Sequence, residues 1–139
     1  MLEKDNFLLR YDLEDVVRLN ETPCSCGETH RRLFYEGRVR DLVPAGSHEV
    51  LPIDVALVLY EFPEVSRPSA EYQIVRGPEP RALRVRIEYD ATGGVDVDGL
   101  TRRLGERFRE RLGVPAELEL VARGAVPRFA YKAARVVDA

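Results

Sequence analysis

The sequence predicts an α+β fold: a small two-layer domain with about three main strands and two helices packed on the sheet, preceded by an N-terminal arm and knuckle. Three observations point there. Leu83, Val85 and Ile87 alternate with Arg84, Arg86 and Glu88, the period of a half-buried strand. Leu100, Leu104, Phe108 and Leu112 recur every fourth residue and line one helix face, with arginine and glutamate on the other. Between such segments stand breakers, "GPEP", "ATGG" and Gly113–Pro115, which separate the elements without long linkers.

The elements follow in order. Residues 1–35 form the arm, with a strand-like stretch "NFLLRYDLEDVVRLN" and a turn-rich knuckle "ETPCSCGETH". Neither has the length to bury a core, so the arm is expected to lean on something else. Residues 36–139 are the compact part. "VLPIDVALVLYEFPEV" predicts a short, largely buried helix from Pro52 to Phe62, with proline in the first turn and Pro63 as its stop. "AEYQIVRG" and "RALRVRIEYD" read as strands, "ATGG" as a loop tip, and Gly113 with Pro115 as the end of the second helix. "AELELV" alternates again as a third strand, and Lys132 in "PRFAYKAARVV", beyond it, is expected on a loop reaching away from the body.

Composition narrows the function classes. Of 139 residues, 45% are hydrophobic and 32% charged, ordinary for a globular domain with a core. A net charge of -3 gives no whole-molecule reason to bind nucleic acid or an anionic membrane. Arginines cluster in "HRRLFYEGRVR" and "LTRRLGERFRERLG", but the second cluster alternates with glutamate as a solvated helix face does. No apolar run is long enough to span a bilayer, and "MLEKDNFLLRYD" has acidic residues where a secretory leader needs basic ones. The expectation is a cytoplasmic protein.

Two constellations carry chemistry. Cys24, Cys26 and His30 form C-x-C-x3-H, thiolate and imidazole groups that suit zinc, although a closed structural site needs four ligands. Two reduced cysteines in a tight Gly27 turn are the plainer alternative. Lys132 is one of only two lysines, Lys4 being the other, in a chain that otherwise uses arginine. An ammonium on a loop can serve as a point charge for phosphate or carboxylate, or simply face solvent. No serine–histidine–acid set and no glycine-rich phosphate loop occurs.

Several short motifs then line up in order: "LLRYDLEDVVRL", "CSCGETH", "GRVRDLV", "VLPIDVALVLYEFPEV" and "VPRFAYKAARVVD". Together they resemble the C-terminal domain of phenylacetate–CoA ligase-like enzymes, members of the AMP-forming acyl-adenylate superfamily. The resemblance implies a lid on a larger N-terminal body that makes an acyl-adenylate and then an acyl-CoA. ATP or AMP, coenzyme A and Mg2+ are the implied cofactors. By the same resemblance Asp15 would bind the nucleotide ribose, Arg38 would lie near the nucleotide, and Arg40 would stand at the hinge. Lys132 would be the catalytic lysine that steadies carboxylate and α-phosphate oxygens during adenylation. Cys24 and Cys26 would contribute to a zinc site with ligands from the body. A separate body subunit is thus the implied partner, and a homodimer through the arm is the blander expectation. A non-catalytic module that binds a nucleotide, coenzyme A or a protein is the alternative function.

The departures are specific. Leu13 and Glu14 replace threonine–glycine before the aspartate, and Arg40 replaces an acidic hinge residue. Ser47 and Tyr131 replace glycines, and Ala56 replaces a glutamate.

Overall fold

A computed structural model of the chain describes residues 12–77, 81–128 and 134–139. The chain divides into two compact units, residues 1–40 and 41–139.

The first unit is a two-stranded antiparallel ribbon. Strands β1 (Asp15–Asn20) and β2 (Arg32–Arg38) pair from Asp15 opposite Arg38 to Asn20 opposite Arg32, with a bulge at Val16/Val17. Val17, Leu19, Leu33 and Tyr35 share one face and Phe34 lies on the other, so both faces carry apolar residues. Val17 lies opposite Tyr35 and Leu19 opposite Leu33, and all four are exposed. On the remaining positions Arg18 stacks over Phe34 at 4.5 Å and pairs with Glu36 at 2.7 Å. Two strands by themselves enclose no core, and none of the described residues in 12–40 is buried.

The second unit starts with a hairpin that the sequence did not announce, β3 (Val43–Ala45) and β4 (His48–Val50). Gly46, at φ 63°, takes the left-handed conformation that a two-residue turn requires. Helix α1 (Pro52–Leu59) follows, and Asp54 reaches back to accept from the Leu51 N–H at 2.9 Å. The apolar run was expected to stay helical to Phe62. Instead α1 ends at Leu59, and Pro63 opens a second short helix, α2 (Pro63–Ser66). Proline blocks the donor position of a continuing helix but suits the first turn of a new one, so the same residue does both.

The sheet has four strands: β5 (Tyr72–Arg76), β6 (Leu83–Tyr89), β7 (Ala116–Ala122) and β8 (Val136–Asp138), in the order β7-β6-β5-β8. β5 and β6 are antiparallel, while β7 and β8 run parallel to their neighbours. Helix α3 (Val97–Leu112) makes the crossover from β6 to β7. Asp96 caps its start by accepting from Gly99 N–H at 3.0 Å, and Gly113 at φ 70° ends it as the sequence predicts. Leu100, Leu104 and Phe108 are fully buried against Leu83, Val85 and Ile87 of β6 and Ile74 of β5 in one core. Each such side chain stabilises the fold by roughly 1.5–3 kcal/mol. On the other face of β6 and β7 stand the ion pairs Arg84–Glu117 at 3.5 Å and Arg86–Glu119 at 2.9 Å, whereas Glu88 of β6 is buried.

The fourth strand changes the reading of the tail. Its end does not reach away: Val136 and Val137 pair with Ile74 and Val75, and Ala139 N–H donates to Arg76 O at 3.1 Å. Three residues are too few to show a period, so only the vacant edge of β5 reveals them as a strand. No helix among the described residues is long and apolar enough to cross a membrane.

Candidate functional site

The ribbon brings two of the sequence-derived candidates together. Asp15 and Arg38, far apart in the chain, face each other at the first pair of β1 and β2, with Arg38 Nε 2.9 Å from Asp15 Oδ1. Arg38 Nη1 also donates to Leu13 O at 3.2 Å. The charge contact is close but not aligned as a hydrogen bond, and Asp15 Oδ1 is a buried atom without a hydrogen-bond donor among the described residues.

The residue before Asp15 bears on this geometry. Glu14 has φ 54°, the left-handed region that a side chain disfavours, and it stands where the resemblance has glycine. Its conformation is held locally: its N–H donates to Asp12 Oδ1 at 2.9 Å and its carbonyl accepts from Val39 N–H at 2.8 Å. The turn that presents Asp15 therefore persists although the glycine that favours it is gone. Arg40 lies in the 3-10 turn Val39–Asp41 that follows β2.

In the knuckle Cys24 and Cys26 approach to 2.8 Å between sulfurs, and Gly27 at φ 88° closes the turn by donating to Cys24 O at 3.0 Å. The Cys24 side chain, and next a backbone hydrogen bond, hold the Cys26 thiol below its ordinary value. His30 is turned to Glu28, with Nε2 3.5 Å from Oε2. The structure does not gather the three sequence candidates into one ligand set: no group of three or more His, Cys, Asp or Glu placed to hold a metal occurs among the described residues. At 2.8 Å the two sulfurs stand closer than the roughly 3.7 Å at which one tetrahedral zinc would hold a pair of thiolates, and they are two of the four ligands a structural site needs.

Lys132 lies outside the described residues, as does Tyr131; the two stems of their segment are described. Val126 N–H donates to Glu88 Oε1 at 2.7 Å and Arg128 Nη2 to Glu88 Oε2 at 2.7 Å. Arg128 Nη1 also meets Glu71 Oε2 at 3.1 Å. On the far stem Arg135 Nη1 donates to the same Glu71 Oε2 at 2.9 Å and to Tyr72 O at 3.2 Å, and its guanidinium stacks on the Tyr72 ring at 4.6 Å. Burial pushes the Glu88 carboxyl up, but hydrogen bonds from Val126 N–H, Gly124 N–H and Arg128 outweigh it and leave the group lowered. The sequence reading missed Glu71 and missed Glu88 as a buried acid. Glu88 sits on the polar side of a period-two strand, and nothing local announces that the tail will cover it.

The comparisons agree with this architecture. Residues 47–139 match the family described as the AMP-binding enzyme C-terminal domain. Over 94% of its length the chain is 29% identical to the phenylacetate-coenzyme A ligase of Thermus thermophilus, and it spans 33% of that relative. A crystal structure of 2-hydroxyisobutyryl-CoA ligase in the postadenylation state, in complex with R3-HIB-AMP, is 25% identical. It superposes with a TM-score of 0.76 over 91% of this chain and 28% of its own. An open conformation of 2-hydroxyisobutyryl-CoA ligase, in complex with 2-HIB-AMP and CoA, is 26% identical, with a TM-score of 0.64 over the same shares. With the match running from the β3–β4 turn through the last strand, the chain belongs to the family of AMP-binding enzyme C-terminal domains.

Proposed function

We propose that this chain acts as the C-terminal domain of a phenylacetate–CoA ligase-like, AMP-forming ligase and completes acyl-adenylate and acyl-CoA formation together with an N-terminal body. The observation that carries this reading is that the match to a phenylacetate-coenzyme A ligase takes in both units, with Asp15 and Arg38 placed face to face. By the resemblance, Asp15 would accept from the ribose hydroxyls of ATP or AMP, and Arg38, 2.9 Å from it, would orient it. Lys132 would contribute a positioned ammonium where charge moves among carboxylate and phosphate oxygens, an interaction worth most in a water-poor cleft. Arg40 would stand at the hinge through which one site serves both half-reactions.

Coenzyme A would supply the thiol that takes the acyl group. Mg2+ would accompany the nucleotide. Zinc would be held by Cys24 and Cys26 only with their sulfurs drawn apart from 2.8 Å and with further ligands from outside the chain. The exposed apolar positions Val17, Leu19, Leu33 and Tyr35 support a partner surface on the ribbon, which the body would cover.

The test is ATP–pyrophosphate exchange with an aryl or short acyl acid. The chain is assayed alone and with a phenylacetate–CoA ligase body stripped of its own C-terminal domain. Exchange is expected only with both present, falling about 10²–10³-fold for Lys132→Ala, the usual effect of losing one positioned charge stabiliser. Absence of exchange in every combination, with nucleotide binding retained in calorimetry, rejects the reading in favour of a non-catalytic binding module.

A further inference from the structure

The carboxylates Glu71 and Glu88 have a role that the tail motif alone does not assign. Resting on the reading of Lys132 as the adenylation lysine, we infer that they are positioning residues that hold both stems of the segment carrying it.

The geometry converges on one atom. Arg128 and Arg135 bracket the residues 129–134, and both guanidiniums meet the same oxygen, Glu71 Oε2, at 3.1 and 2.9 Å. The two stems are therefore tied to one carboxylate by a two-arginine bridge. Tying them limits how far one stem can move from the other. Glu88 then fixes where that base sits. It accepts from the Val126 backbone and from Arg128 at 2.7 Å each, and the Glu88 N–H itself donates to Glu71 O at 2.9 Å. The two acids are thus neighbours, Glu88 within β6 and Glu71 immediately before β5. Beyond Arg135 the chain enters β8, and Arg135 O accepts from Ile74 N–H at 2.7 Å.

Ordinary surface ion pairs contribute little, and this chain has many. Three features set this cluster apart. The Glu88 side chain is 0% exposed and that of Glu71 18%. Each acid serves more than one donor. The donors also come from both sides of a single short segment. A lysine that must arrive within hydrogen-bond reach of a reacting oxygen gains from stems held this way, since small misplacements are costly in rate.

The sequence offers a direct readout. Lys4 and Lys132 are its only lysines, so a lysine-specific endoproteinase has two sites, and Lys4 is an internal reference for Lys132. Cleavage under native conditions reports local opening. In the full chain, Glu71→Gln is expected to raise cleavage at Lys132 relative to Lys4 about tenfold, the factor that follows from losing charge-assisted bonds. Glu71→Asp, which keeps the carboxylate, is expected to stay within about twofold of wild type. So is Glu119→Gln, which breaks the Arg86 pair elsewhere on the same sheet. Should Glu71→Gln fail to fold, Arg128→Gln opens the same bridge from its half-exposed side. A rise below about twofold, or an equal rise in Glu71→Asp or Glu119→Gln, overturns the inference. The exchange assay with Lys132→Ala is independent. If it fails while the protease ratio behaves as expected, the clamp stands and the lysine's chemistry falls; the reverse pattern rejects the clamp alone.

Discussion

The ribbon of residues 12–40 and the sheet unit of residues 41–139 are built from similar amino acids and have opposite patterns of burial. The sheet unit closes Leu59, Ile74, Leu83, Ile87, Leu100, Leu104 and Phe108 away from water. The ribbon leaves Leu13, Leu19, Leu33 and Tyr35 more than half exposed. What differs is the number of layers. A helix over a four-stranded sheet gives each apolar side chain neighbours on all sides, whereas two strands offer only one another. The sheet unit therefore holds the buried core, and the ribbon among the described residues holds none.

The sharpest way to break this comparison is a matched pair of truncations. Phe108→Ala in α3 is expected to cost roughly 3–5 kcal/mol in urea unfolding, as deletion of a fully buried ring does. Phe34→Ala in β2, where the ring is 40% exposed under Arg18, is expected to cost under about 0.5 kcal/mol. Equal losses would mean that the ribbon is buried in the chain as it stands.

The tail anchor gives the next effect. Glu88→Gln is expected to cost about 2–3 kcal/mol at neutral pH, because it leaves Arg128 and a buried backbone donor with a weaker partner. Since the folded Glu88 lies below its ordinary value, its contribution is complete above that ordinary value. It drains away as the pH falls through the lowered one. Thermal midpoints across that acid window should fall for the wild type and change less for Glu88→Gln; parallel curves would exclude Glu88 as the cause.

The smallest effect sharpens the ribbon side. Glu14→Gly is expected to relieve about 1 kcal/mol of left-handed strain. The signal is slower amide exchange at Val39, whose N–H donates to Glu14 O, with the midpoint of the sheet unit unchanged.

Much of the fold was legible beforehand. The alternation in β6, the four-residue spacing in α3 and the glycine at its end are local properties, enforced by side-chain direction and backbone sterics. The split at Pro63, the β3–β4 hairpin and β8 were not legible, since each is too short to display a period. The candidate site divides the same way. Asp15, Arg38 and the cysteines stood out by residue type and order, while Glu71 and Glu88 look like ordinary polar residues of ordinary strands.

The sequence by itself determined the α+β class, the compact segments and the tail motif with Lys132, because periodicity and residue chemistry are written locally. Only the tertiary structure decided that Asp15 meets Arg38 across a ribbon. It alone decided that the tail returns to the edge of β5, and that one glutamate oxygen ties Arg128 to Arg135. Those contacts join residues that are distant along the chain, and no local pattern encodes which strand edge or which buried acid a distant segment will meet.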